Sequence, residues 1–278
     1  SIVAIQRDYG DRKSRKNSRM KYLLNRKGIN WFKKILLEKY FKKEIKPLRK
    51  EPENKLIDYL GWHKQNKDFS FVGLPLLSGR LSGKKKSLIR DIVKENGLDI
   101  RLTPNQDILL CNIPNKKKNE IKKALITIGY KNLNDINEIQ RHALACPALP
   151  LCGLAMTEAE RILPQVLTRI EKLLNDLNIK KTLLFRMTGC PNGCTRPYMA
   201  ELALVGSGQN KYQLWLGGSK NLQRLAKPYL QRMELEDLEK TIKPLLECWK
   251  KSSLELDFGD FINNQNDSLI SNLIKEVD

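Results

Sequence analysis

The sequence predicts an α+β protein, and three observations carry that prediction. Strand-like apolar runs alternate with lysine-faced amphipathic stretches between about residues 55 and 140. Two close pairs of cysteines interrupt glycine- and proline-rich turns farther along, and a strand pattern leads into the second of them. At 278 residues, 41% hydrophobic and 29% charged, the chain can bury a full apolar core and is neither a miniature disulfide scaffold nor a disordered tract. No apolar run reaches the roughly 20 residues of a membrane span, and no membrane partner is expected.

Residues 1–45 open with a basic run, RDYGDRKSRKNSRMK, followed by a helix that stops near Gly28 and another from about Asn30. Trp31, Phe32, Ile35, Leu36 and Tyr40 recur at helical spacing and form a buried stripe. Between 50 and 140, FSFVGLPLL, IRLTP and DILLCNI read as strands, while SGKKKSLIRDIVKENG and PNKKKNEIKKALITIG read as helices with Lys outside and Ile, Leu and Val inside. Two strand-helix units on one sheet make a ferredoxin-like half-domain. The turn from Thr103 to Asp107 carries Gln106. From 141 to 262 a third region is expected. It has a helix from about Thr157, with Glu158 and Glu160 favouring its dipole and Ile162, Val166, Ile170 and Leu173 on one face. Pro164 is a candidate kink in that helix. TLLFRM follows as a strand, AELALVG and YQLWLGG as a strand pair, and a helix from about Glu234 to Lys250 closes the region. Gly217 and Gly218 would let the backbone approach another surface. Residues 263–278 are set apart as a tail.

Six cysteines occur. Cys111 and Cys248 stand alone in apolar surroundings and read as core thiols. Cys146 and Cys152 are separated by five intervening residues in ACPALPLC, and Cys190 and Cys194 by three in GCPNGC. In a chain of this size without a secretory leader, such pairs are more often metal ligands than bridges. Zinc knuckles space their paired ligands by two to four residues, so the five-residue gap fits zinc poorly. An iron-sulfur cube needs four thiolates and close backbone N–H groups, and Pro147, Pro150, Pro191, Gly153, Gly189 and Gly193 supply turns suited to that wrapping.

The segment ACPALPLCGLAMTEAERILP and the strand and loop RMTGCPNGCTRPYMAELALVG, with 37 residues between Cys152 and Cys190, together resemble the paired signature of ferredoxin-dependent sulfite reductase. The likeness extends through RDYGDRKSRKNSRMKYLL, GLPLLSGRL, RLTPNQDILL and YQLWLGG to DFGDF, covering nearly all of residues 1–262, and the text between the first two cysteines favours the sulfite branch over the nitrite reductases. The resemblance implies an α/β iron-sulfur and siroheme domain at 141–262, with residues 1–45 ending a central siroheme-binding domain. It implies that Cys146, Cys152, Cys190 and Cys194 hold a [4Fe-4S] cluster and that Cys194 also bridges to siroheme iron. Arg19, Gln106 and Asn192 are its implied siroheme contacts, with Arg15, Lys16 and Lys21 weaker ones. The implied reaction takes sulfite to sulfide with six electrons from reduced ferredoxin, in bacterial cytoplasm or plastid stroma. The chain resembles the C-terminal half only, so a missing N-terminal half is an expected partner and the chain alone is expected to lack a closed substrate pocket.

Lys and Arg number 51 against 31 Asp and Glu, a net charge of +20. A field of that sign favours anionic partners: an acidic electron carrier, a polyanionic cofactor, or nucleic acid bound non-specifically. Two rival readings are a ferredoxin-nitrite reductase and, from another class, a basic zinc-stabilised nucleic-acid-binding protein. The second is weakened by an aromatic content of 7% with no interleaved stacking platform. His63 and His142 read as structural or exposed histidines.

Overall fold

The computed structural model describes residues 1–43, 56–130, 136–252 and 254–275. The chain divides into two compact units, Ser1–Glu53 and Asn54–Asp278. The expected boundaries at 45 and 50, and residues 276–278 of the expected tail, lie outside the described residues.

The first unit holds α1 (Ile2–Tyr9), α2 (Met20–Lys27) and α3 (Ile29–Ile35), the last continuing into a π-helical turn at Leu36–Phe41. Gly28, at φ 83°, separates α2 from α3 in a conformation that any side chain would strain. Ile5, Leu23 and Phe32 are buried together, flanked by Trp31, Ile35, Leu36 and Tyr40, so the helical stripe read from the sequence is the one that packs. The basic run between α1 and α2 leaves Arg12, Lys13, Arg15, Lys16 and Arg19 exposed.

The second unit begins with β1 (Gly61–Lys64), β2 (Phe69–Leu74), α4 (Gly83–Asn96), β3 (Asp99–Leu102), β4 (Ile108–Pro114) and α5 (Lys118–Thr127). The strands form one antiparallel sheet in the order β1-β2-β4-β3. Ile89 and Ile92 of α4 and Ile121 and Leu125 of α5 cluster with Val72, Leu74, Leu110 and Ile113, so the apolar stripes of both helices close on the sheet and their lysines face outward. Cys111 is buried in β4, as its apolar setting suggested.

Next come α6 (Glu138–His142), β5 (Leu144–Ala145), α7 (Leu163–Asp176), β6 (Phe185–Thr188), β7 (Leu202–Gly208), β8 (Lys211–Leu216), β9 (Lys227–Glu234), α8 (Leu238–Lys251), α9 (Phe258–Asn264) and α10 (Asp267–Lys275). A five-stranded sheet runs in the order β5-β6-β7-β8-β9, its first three strands parallel and its last two antiparallel. Val166, Leu167 and Ile170 of α7 and Ile242, Leu246 and Trp249 of α8 cover the sheet residues Phe185, Met187, Leu202 and Leu204.

Three elements differ from the sequence reading. Helix α7 starts at Leu163 and not near Thr157, because residues 156–162 are drawn into contacts with other loops. The Glu158 carbonyl accepts from the Tyr212 hydroxyl and Glu160 pairs with Arg80, so neither sits in the first helical turn. Pro164 occupies that first turn, where a missing N–H costs nothing, and produces no kink. The closing helix begins at Leu238 because β9 claims the chain through Glu234. Residues 267–275, within the expected tail, form α10, which buries Ile270 and Ile274 in the main core and is pinned by Tyr229, whose hydroxyl donates to Asp267 at 2.7 Å.

Of the two glycines expected to admit a close approach, Gly218 does so, whereas a Cβ on Gly217 would come no nearer than 3.4 Å to Ile262, an ordinary contact. A Cβ on Gly218 would stand 2.2 Å from the Ala200 carbonyl, and one on Gly259 only 1.8 Å from the Gly218 carbonyl. Beneath this contact the buried carboxylate of Glu201 accepts from Leu184 N at 2.7 Å and from Gly259 N at 2.9 Å, fastening the start of α9 to the sheet.

Candidate metal centre

Two adjacent parallel strands bring the two cysteine-bearing loops side by side. Ala145, the last residue of β5, pairs with Met187 of β6, so Cys146 leaves the sheet beside Thr188 and Cys190 leaves it two residues later. The Cys146 sulfur lies 3.3 Å from Thr188 Oγ1 and accepts a hydrogen bond from Gly189 N at 3.2 Å. The first loop then folds back over the second. Met156 N and Thr157 N both donate to the Gly189 carbonyl, at 2.8 and 3.3 Å, while Cys152 N donates to Ala148 O at 2.8 Å. Only glycine fits at 189: a Cβ there would meet the Ala148 Cβ at 2.6 Å and the Thr157 carbonyl at 2.7 Å.

The second loop is braced from below and from the side. Thr195 Oγ1 donates to Met187 O at 2.9 Å, and Arg196, at φ 56°, returns its N–H to Gly193 O at 2.8 Å. Tyr198 donates its hydroxyl to Pro191 O at 2.7 Å and stacks edge-on against Trp215, centroids 4.5 Å apart. Its pKa is raised by burial first and by Cys190 second. Gly193, at φ 67°, lies under the Tyr198 ring, which leaves no room for a Cβ.

All four cysteines are free thiols. Cys146 and Cys190 are each 7% exposed, Cys152 is half-buried and Cys194 is exposed. Among the described residues no three His, Cys, Asp or Glu side chains close around a single metal ion. Four thiolates at the corners of an iron-sulfur cube stand farther apart than the ligands of one ion. Free thiols on two interleaved loops, a backbone N–H already aimed at one sulfur and a glycine-only contact between the loops match what such a cube requires. The residues present fit the group.

The ferredoxin-like half-domain grips both loops. Gln106, at φ 67°, donates Nε2 to Ala145 O at 2.9 Å and accepts from Ala145 N at 3.4 Å, so its amide brackets the residue before Cys146 and keeps one N–H over. Arg196 Nη2 donates to Pro104 O at 2.8 Å. Arg80 forms a two-pronged ion pair with Glu160, whose own N–H donates to the Cys146 carbonyl at 3.1 Å. An open cleft of about 320 Å³ lies beside this junction, lined among others by Gly79, Thr103, Gln106 and Pro147. Asp107, also on its wall, has its carboxyl pushed up to about 6, by burial above all.

Asn192 is exposed in the second loop, midway in the chain between Cys190 and Cys194. Arg19 lies in the first unit, immediately before α2. His63 accepts a structural place, its Nε2 3.0 Å from Leu60 O and its ring stacked on Phe71. Sequence reading missed the bracing residues Glu160, Arg186 and Tyr198. For Arg186 a signal existed: an arginine in the middle of the apolar run TLLFRM is out of place unless it is paired or functional.

Comparison with known proteins accords with this geometry. A model of the nitrite and sulphite reductase 4Fe-4S domain matches residues 1–45, and a model of the nitrite/sulfite reductase ferredoxin-like half domain matches residues 63–128. The chain is 46% identical over 267 residues to sulfite reductase [ferredoxin] of Synechococcus elongatus, covering 94% of this chain and 43% of that protein. It is 36% identical over 269 residues to the sulfite reductase [NADPH] hemoprotein beta-component of Staphylococcus carnosus, covering 94% and 47%. The Mycobacterium tuberculosis NirA structure shares the fold at a TM-score of 0.78 and 24% identity, over 96% of this chain and 52% of that one. Dissimilatory sulfite reductase I aligns at a TM-score of 0.53 and 11% identity, over 74% and 69%. Fold and loops thus define a protein of the nitrite and sulfite reductase fold whose two adjoining loops carry four free thiols. The chain belongs to the nitrite and sulfite reductase family. It spans a little under half the length of the curated relatives it matches.

Proposed function

We propose that this chain is the thiolate-bearing portion of a sulfite reductase, with Cys146, Cys152, Cys190 and Cys194 holding a [4Fe-4S] cluster and Cys194 shared with siroheme. The observation that carries the reading is the pairing of β5 with β6, which sets two loops with four free thiols side by side. Bound together, the two groups supply one-electron steps that reduce sulfite, with six electrons and eight protons, to hydrogen sulfide and three waters. The protein's part is to hold and orient. Cys146 and Cys190 are withdrawn from water, the Gly189 N–H steadies the Cys146 sulfur, and exposed Cys194 is left accessible to a second group. Arg19, Gln106 and Asn192 are the proposed siroheme contacts, Gln106 from its place on the cleft wall.

Ferredoxin is the proposed electron donor, since a 46% identical relative is named for it. A further segment of protein is the proposed partner that closes the sulfite pocket, and non-specific contact with nucleic acid would follow from the net charge of +20. No helix among the described residues is long and apolar enough to cross a membrane, and bacterial cytoplasm or plastid stroma is the proposed compartment. The test is an absorption spectrum with iron and acid-labile sulfide analysis on the protein assembled with the upstream segment, followed by sulfite and nitrite turnover with reduced ferredoxin. Iron, labile sulfide, a tetrapyrrole band and preference for sulfite are expected. A colourless protein carrying zinc would overturn the reading, and preference for nitrite would move it to the sister activity.

A further inference from the structure

Arg186 lies in the middle of β6 and is fully buried, with 0% of its surface exposed. Its Nη1 donates to the Arg196 carbonyl at 3.2 Å, whereas Nε and Nη2 are buried without any acceptor. Across the sheet it is flanked by Leu144 and Ala203, which offer no polar atom from their side chains. Among the described residues no carboxylate pairs with it, and the charged group that acts on it most, Arg196, has the same sign. Burial pulls its pKa down to about 10, which still leaves the guanidinium charged at neutral pH. A buried charge without a counter-ion is strongly unfavourable, so the fold as described is missing a negative partner here.

Position shows where that partner belongs. Thr188 is the next residue on the same face of β6. Its hydroxyl touches the Cys146 sulfur at 3.3 Å and donates to the Cys190 carbonyl at 3.4 Å. The carbonyl that Arg186 holds belongs to Arg196, two residues past Cys194. The guanidinium therefore lies under the junction of the two thiol-bearing loops. A [4Fe-4S] cluster with four thiolate ligands is an anion in both of its ordinary oxidation states and gains one more negative charge on reduction.

We infer that Arg186 is the buried counter-charge of the cluster carried by Cys146, Cys152, Cys190 and Cys194, and that it favours the reduced form. The inference rests on the proposed assignment of those thiols to a cluster. Its test is a potentiometric titration of the cluster-loaded protein, followed by electron paramagnetic resonance, for the parent and for Arg186→Met, Arg186→Gln and Arg186→Lys. Removing the charge should lower the ratio of reduced to oxidised cluster at a fixed ambient potential by roughly tenfold, a shift of about 59 mV to more negative values for a one-electron couple. The Lys variant should stay near the parent.

A second measurement separates charge from packing. In cluster-free protein, Arg186→Met should raise the thermal midpoint, because an uncompensated charge is gone. In loaded protein it should lower it. Equal midpoint potentials in all variants, a Lys variant shifted as far as Met, or a Met variant destabilised alike in both forms would overturn the inference. So would loss of tetrapyrrole at an unchanged cluster potential, which would assign the guanidinium to a ring carboxylate. Absence of iron and labile sulfide from the parent protein would instead refute the underlying cluster assignment.

Discussion

Glu201 shows how much one side chain carries in this fold. Its carboxylate is fully buried and joins two backbone segments, Leu184 before β6 and Gly259 in α9. Burial pushes its pKa up to about 7, against smaller opposing effects of the two N–H donors and Lys220, with Asp257 adding to the rise. A carboxyl whose folded pKa lies above its unfolded value of about 4.5 binds its proton more tightly in the folded state. Its contribution to stability is therefore complete below about pH 4.5 and is lost as pH rises through 7. Glu201→Gln removes that dependence, so the stability of the variant relative to the parent should improve steadily between pH 4.5 and 7. Urea midpoints across that range check this; a constant difference between the two proteins would show that Glu201 does not titrate there.

At the level of elements, α10 is the part that the sequence pattern undervalued most. Asp267, Ile270 and Ile274 tie it to β9 and to the main core, although the segment has no recognisable family motif. Ile270 is completely buried, so Ile270→Ala should cost about 2–5 kcal/mol. A fall in the thermal midpoint measures it, and an unchanged midpoint would mean that α10 does not stay docked in solution. Elements with a strong period were legible beforehand: α4 and α5 from their lysine-and-isoleucine faces, β4 from DILLCNI, β7 and β8 from two apolar runs across a short turn. What stayed hidden were boundaries decided by distant partners. Nothing local says that Glu160 will leave the start of α7 to meet Arg80, or that a two-residue β5 exists at all. The two cysteine-bearing loops were legible from their spacing and their glycines and prolines, whereas Glu160, Arg186 and Tyr198 act through contacts that only the folded chain creates.

For the whole molecule, charge is the dominant property. A net charge of +20 on 278 residues gives a long-range field that draws acidic partners and is screened within about 10 Å at 0.1 M salt. If ferredoxin is the donor, as proposed, its complex with this chain should weaken progressively as salt is raised, mainly through a slower association rate. Surface-immobilised binding over a salt series measures it, and affinity independent of salt would place the contact on apolar surface instead. The lysine-faced helices α4 and α5 carry eight Lys and Arg against three Asp and Glu, a quarter of this net charge, yet their inner faces are what close the half-domain. Solubility, partner attraction and core formation thus draw on opposite sides of the same helices.

A two-residue strand has too few ladder bonds to set its own alignment. β5 is such a strand, and the Gln106 amide that brackets Ala145 from outside fixes it. A turn in one sheet therefore meters where the first thiol of the other emerges. Lengthening or shortening the Thr103 to Asp107 turn by a residue would misplace Cys146 without touching any cysteine, and the half-domain acts as the gauge against which the first cysteine-bearing loop is cut to size.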